Sequence, residues 1–177
     1  MGSRSVGRLA VLLTVALFLG ALRSVAAPTG LPDRLTMPPD IRQLAEAMWE
    51  RSPTFRRQCA RLRAAPQLSV TIHRGIPPPG THAAAQTTFT RHDSIPVRAD
   101  VWIGSSGSTV ELIAHEIEHI IEQLDQVDLA SVQTRRDAGV SRGHGSDADH
   151  FETDRAIAIG RLVASEMSRP PTQSATR

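Results

Sequence analysis

A chain of 177 residues, 40% of them hydrophobic and with a single cysteine, can bury one sizeable core and cannot be a disulfide-stapled scaffold. Its 20 basic and 18 acidic residues give a formal charge of +2, but Arg4, Arg8 and Arg23 all fall within the first 26 residues, leaving 17 basic against 18 acidic in the remainder. That near balance lacks the basic footprint of a nucleic-acid binder, and no nucleic-acid partner is expected.

The chain opens Met1-Gly-Ser-Arg-Ser-Val-Gly-Arg8, followed by an apolar run of 14 residues from Leu9 to Leu22 and then Arg23-Ser-Val-Ala26. A basic start, a short apolar core and small residues at its end predict a secretory signal peptide over 1–26, cleaved after Ala26. The run is shorter than the about 20 residues that cross a bilayer, so no stable membrane span is expected after cleavage. An uncleaved anchor is the alternative. The expected location is secreted or periplasmic.

Residues 27–38, rich in proline and polar residues, predict a flexible lead-in. A single domain is expected over 39–168 and a disordered tail over 169–177. Asp40 can cap a first helix with Ile41, Leu44, Ala45, Met48 and Trp49 at helical spacing. Ser52-Pro53 then starts a second, with serine as cap and proline at the first position, running to about Arg63. Cys59 falls on its apolar side and reads as a buried thiol. Arg56, Arg57, Arg61 and Arg63 read as a solvated face.

Leu68 to Arg74 alternates apolar and polar residues and predicts a strand, with His73 facing out. Ala85–Arg91 and Val97–Ile103 predict two more, joined as a hairpin through His92-Asp-Ser-Ile-Pro96. Trp102, on the outer face of the last strand, is expected as core under a loop, with a substrate contact as the alternative, and His82 and His92 at the surface.

The stretch Glu111-Leu-Ile-Ala-His-Glu-Ile-Glu-His-Ile-Ile-Glu-Gln-Leu-Asp125 carries the chemistry. Ser108 with Glu111 three residues on is a capping box, so a helix is expected. Leu112, Ile113, Ile117, Ile120, Ile121 and Leu124 make its apolar face, while Glu111, Glu118, Glu122 and Asp125 are expected on the solvent side. His115 and His119 lie one turn apart on one face and can share a metal ion. Glu116, beside them, can take a proton from a water activated there. An amphipathic helix with no metal is the plain alternative, and it expects Glu152 and His119 to lie far apart.

A catalytic zinc needs a third protein ligand. On a last helix expected over His150–Met167, Glu152, Ala156, Ile159, Val163 and Met167 form one stripe with a carboxylate at its start. A buried carboxylate needs a partner, which a metal held by His115 and His119 would supply. His150, with Asp154 one turn on, is the alternative third ligand, and His144 in the glycine-rich stretch a remote one.

His115-Glu116-x-x-His119, flanked by Leu112, Ile113, Ala114, Ile117, Ile120 and Ile121, resembles the zincin metallopeptidases. Phe151-Glu-Thr-Asp-Arg-Ala156 is similar to the second motif of their gluzincin branch, a downstream helical glutamate. The resemblance implies a zinc-dependent peptidase acting on a peptide or protein substrate. His115, His119 and Glu152 would be its ligands and Glu116 its general base. It also implies an edge strand that pairs with the substrate, for which 97–103 is the candidate, and an oxyanion donor from among His144, His150 and Arg142. The expected fold is α+β: N-terminal helices, a small, mostly antiparallel sheet, the H-E-x-x-H helix and a C-terminal ligand helix. A zincin-like module that binds metal or a partner without cleaving is the alternative function.

Overall fold

The computed structural model describes residues 30–75, 84–127, 140–142 and 151–170. The expected signal peptide, His82, His144, His150 and residues 171–177 lie outside them. The elements follow in the order β1 (Leu35–Thr36), α1 (Pro39–Arg51), α2 (Pro53–Arg63), β2 (Ser69–Arg74), β3 (Ala85–His92) and β4 (Ile95–Ile103). Then come α3 (Thr109–Leu124), β5 (Val140–Arg142), β6 (Phe151–Thr153) and α4 (Asp154–Ser168). The class is α+β.

The main sheet has the strand order β1-β2-β4-β3 and is mixed, where a mostly antiparallel one was expected. Only the β3–β4 hairpin is antiparallel; β1–β2 and β2–β4 are parallel. The reason lies in the hairpin. Asp93 and Ser94 at its tip have φ of 48° and 68°, the two-residue turn whose twist suits a tight antiparallel return. The chain lays the second arm of that hairpin, not the first, beside β2, so β4 runs in the same direction as β2. The 97–103 strand is therefore interior, and the edge of the sheet on that side is β3. The lead-in also departs from expectation. Leu35 is buried and pairs with Val70, because a two-residue strand is too short to leave a periodic signal.

Alternation along the strands divides the sheet into two faces. Val70, Ile72, Ala99, Val101 and Ile103 are buried beneath Ile113, Ile117 and Ile120 of α3 and beneath Ile41, Met48, Phe55 and Cys59 of α1 and α2. Burial raises the Cys59 thiol to about 12 despite the nearby Arg63, so it stays protonated and inert at neutral pH. On the opposite face His73 stacks on Trp102 with ring centroids 4.3 Å apart. Trp102 thus lies on the outer face, as the alternation predicts, but is half-buried there and not part of the core.

Side chains tie α4 to the first two helices. Ser52 caps α2 by accepting from the Phe55 N–H at 2.9 Å and donates its own hydroxyl proton to Glu166 of α4. Glu166 also accepts from the Thr54 N–H at 3.1 Å and the Thr54 hydroxyl at 2.8 Å. In return Arg51, the last residue of α1, donates to the Met167 and Arg169 carbonyls that end α4. The arginines expected as a solvated face are likewise engaged. Arg56 donates to the Trp49 and Glu50 carbonyls, Arg57 to the Thr54 hydroxyl, Arg61 to Asp125 and Arg63 to the Gly30 carbonyl.

Candidate metal centre

The α3 helix starts as the sequence expects, with Ser108 accepting from the Glu111 N–H at 3.4 Å. It presents His115 and His119 on one side, their Nε2 atoms 3.0 Å apart. Glu152 arrives from another element. It lies on β6, not on the last helix, because Phe151–Thr153 pairs with Val140–Arg142 and Thr153 becomes the cap of α4. Its Oε2 is 3.2 Å from His115 Nε2.

One ligand atom from each of His115, His119 and Glu152 lies within 4.8 Å of the others. Ligands about 2.0–2.1 Å from a tetrahedral zinc stand roughly 3.3 Å apart, so separations of 3.0 and 3.2 Å suit a shared ion. Two imidazole nitrogens and a carboxylate oxygen are also a donor set that takes divalent transition metals. The histidine side chains are only 13% and 10% exposed, whereas that of Glu152 is 45% exposed and marks the open side. Burial would depress the His115 imidazole, but the hydrogen bond to Glu152 and the charges of Glu116, Glu152 and Glu122 outweigh it and hold the pKa above its ordinary value. That negative field favours a cation.

Glu116, one residue after His115, is buried against β3, where the Thr87 hydroxyl donates to its Oε2 at 2.6 Å. Burial raises its carboxyl above the usual range, opposed by the Thr87 hydrogen bond and the two histidines. A carboxylate poised upward in this way is a better proton acceptor near neutral pH than a solvated one.

Three features at the centre escape the sequence reading. Glu118 and Glu122, expected in solvent, are 4% and 2% exposed. Glu118 accepts from Gln58 Nε2 at 2.9 Å and from Arg155 Nε at 2.6 Å. Glu122 accepts from His119 Nδ1 at 2.9 Å and from the Thr153 hydroxyl at 2.7 Å. The helix is covered by α2, α4 and the sheet, so its polar stripe faces protein. The one available signal was spacing: Glu122 stands three residues after His119, within reach of its ring. The third feature is Gly160 on α4. A Cβ there would lie 2.9 Å from the Glu111 carbonyl oxygen and 3.2 Å from His115 Cβ, so glycine lets α4 settle against the turn that carries His115.

Among the described residues no helix is long and apolar enough to cross a membrane. Comparison with protein-family models, with curated proteins and with solved structures found no match.

Proposed function

We propose that this protein is a zinc-dependent hydrolase, a small peptidase of zincin type exported from the cytoplasm. The observation that carries this reading is the convergence of His115, His119 and Glu152 with the buried carboxylate of Glu116 alongside. The centre fits zinc, although other divalent metals suit the same donors.

A zinc ion held there would polarise a carbonyl and bring the pKa of water to about 7. The protein's own groups do the rest. Glu116 accepts the proton of the attacking water and delivers it to the leaving amine. Thr87 holds one of its oxygens and leaves the other for that work. Strand β3, the sheet edge nearest Glu116, has backbone groups suited to an extended peptide laid alongside it. This supports a peptide substrate and replaces 97–103 as the substrate strand. Glu116 is not among the three ligands, and a carboxylate so placed has no use in a site that only stores metal.

The test is metal content and hydrolysis of a peptide mixture by wild type and Glu116→Gln. Wild type is expected to hold one zinc and cleave. Glu116→Gln should keep the metal and lose on the order of 10²–10⁴ in rate. Zinc without cleavage would favour a non-catalytic binding module instead, and no zinc at all would end the metal reading.

A further inference from the structure

The Glu122 carboxylate is the least exposed charged group at the centre, at 2%, and both of its oxygens are engaged. On one side it faces His119 Nδ1, 2.9 Å away. On the other it receives the hydroxyl of Thr153, the residue after Glu152, which also caps α4 through the Ala156 N–H at 3.0 Å. We infer that Glu122 is the positioning residue of the metal centre: it fixes which nitrogen of His119 is free for metal and anchors the strand that brings Glu152.

The first half follows from the chemistry of imidazole. A carboxylate accepts, so Nδ1 of His119 carries the proton and Nε2 keeps its lone pair, aimed at His115 Nε2. Water favours the other tautomer for a free imidazole, so without Glu122 the ring would tend to put its proton on the nitrogen the metal needs. The carboxylate also stops the ring turning about its bond to Cβ. The second half follows from the fold. His115 and His119 share α3, whereas Glu152 is 33 positions beyond His119 in the chain. The Thr153–Glu122 bond is a direct tie between α3 and β6, one residue from the ligand. A single buried group thus sets the donor atom of the second ligand and the placement of the third.

This inference rests on the proposed metal centre and is tested on the whole mature protein. Zinc affinity is measured by competition with a chromogenic chelator for wild type, Glu122→Gln and Thr153→Ser. Glu122→Gln is expected to weaken zinc binding about 10–100-fold. Thr153→Ser, which keeps the hydroxyl, is expected to bind as wild type. Should Glu122→Gln fail to fold, Glu122→Asp keeps the charge but draws it back by one methylene, and the same loss is expected. A readout free of metal comes from ¹⁵N NMR of the His119 ring in the zinc-free protein, where the Nδ1–H tautomer is expected. Glu122 variants that hold zinc as tightly as wild type, or the Nε2–H tautomer in wild type, overturn the inference and leave the metal centre standing. A wild type that takes up no zinc overturns the centre itself and the inference with it.

Discussion

Within the contact of α2, α3 and α4, the Glu118 carboxylate is held by Gln58 from one helix and Arg155 from another. A buried charge is tolerated only when it is paired and hydrogen-bonded. Arg155 is 45% exposed and reaches on to Asp125 at 3.1 Å, so it screens Glu118 from the solvent side. Arg155→Ala strips the counter-ion from Glu118 and leaves only the water that enters the vacated gap to replace it. The expected loss is about 2–3 kcal/mol, below the range for a fully buried pair because the Gln58 bond survives. Glu118→Gln in the same chain removes the stranded charge and should recover part of that loss. Urea unfolding of the single and double variants checks this, and a double variant no better than Arg155→Ala would show that the charge is not the cause. Nothing in the local residue pattern hints at this pair. On a helical wheel Glu118 falls outside the isoleucine stripe, and only the presence of helices on that side as well puts it inside.

At the scale of elements, α3 and α4 form the frame of the centre, and their separation is set where Gly160 passes Glu111 and His115. A methyl group at 160 would press on a backbone carbonyl, which cannot swing aside as a side-chain end can. Gly160→Ala gains about 1 kcal/mol of helix propensity but costs about 1–3 kcal/mol in overpacking. We expect a lower melting temperature together with weaker zinc binding, since His115 lies on the turn that is pushed. A rise in melting temperature with zinc binding unchanged would mean the helices have room to spare. Elements with strong local signals were legible in the sequence. Ser52-Pro53 starts α2, Ser108 caps α3, and the three alternating runs are strands. What was not legible depends on partners distant in sequence. Residues 150–153 continue the helical spacing of α4, yet 151–153 pair with 140–142 and leave the helix at Thr153. The interior place of β4 is likewise decided by which hairpin arm meets β2, a choice that periodicity cannot express.

For the molecule as a whole, acid stability is set by carboxylates that are better solvated by the protein than by water. Burial alone would raise Glu166, but the Ser52 and Thr54 hydrogen bonds and the Arg57 charge overcome it and hold the carboxyl below its ordinary value. Asp100 is lowered chiefly by its hydrogen bond from Arg98, with His73 adding to it against burial. A depressed carboxyl stabilises the fold above its unfolded pKa, about 4, and that contribution is lost as pH falls through the folded value. Stability should therefore hold from neutral pH down to about 5 and fall below that. Glu166→Gln should cost about 1–2 kcal/mol at pH 7, in line with charged hydrogen bonds. Its deficit relative to wild type should shrink as pH drops below about 4. Urea midpoints between pH 7 and 3 measure the deficit, and one that stays constant would show that the charge of Glu166 plays no part.

The grip of α4 on the first two helices also bears on the order in which the structure can assemble. The β3–β4 hairpin closes over a handful of residues, whereas the Glu166 and Arg51 bonds span 112 to 118 positions. Long loops close late. A nascent chain can form the hairpin, the first two helices and the paired histidines while β6 and α4 are still being made. The Glu166 bonds to the start of α2 and the carboxylate beside His115 come with those elements, so the clasp between α4 and the first two helices and the proposed third metal ligand are gained together, after the rest of the core.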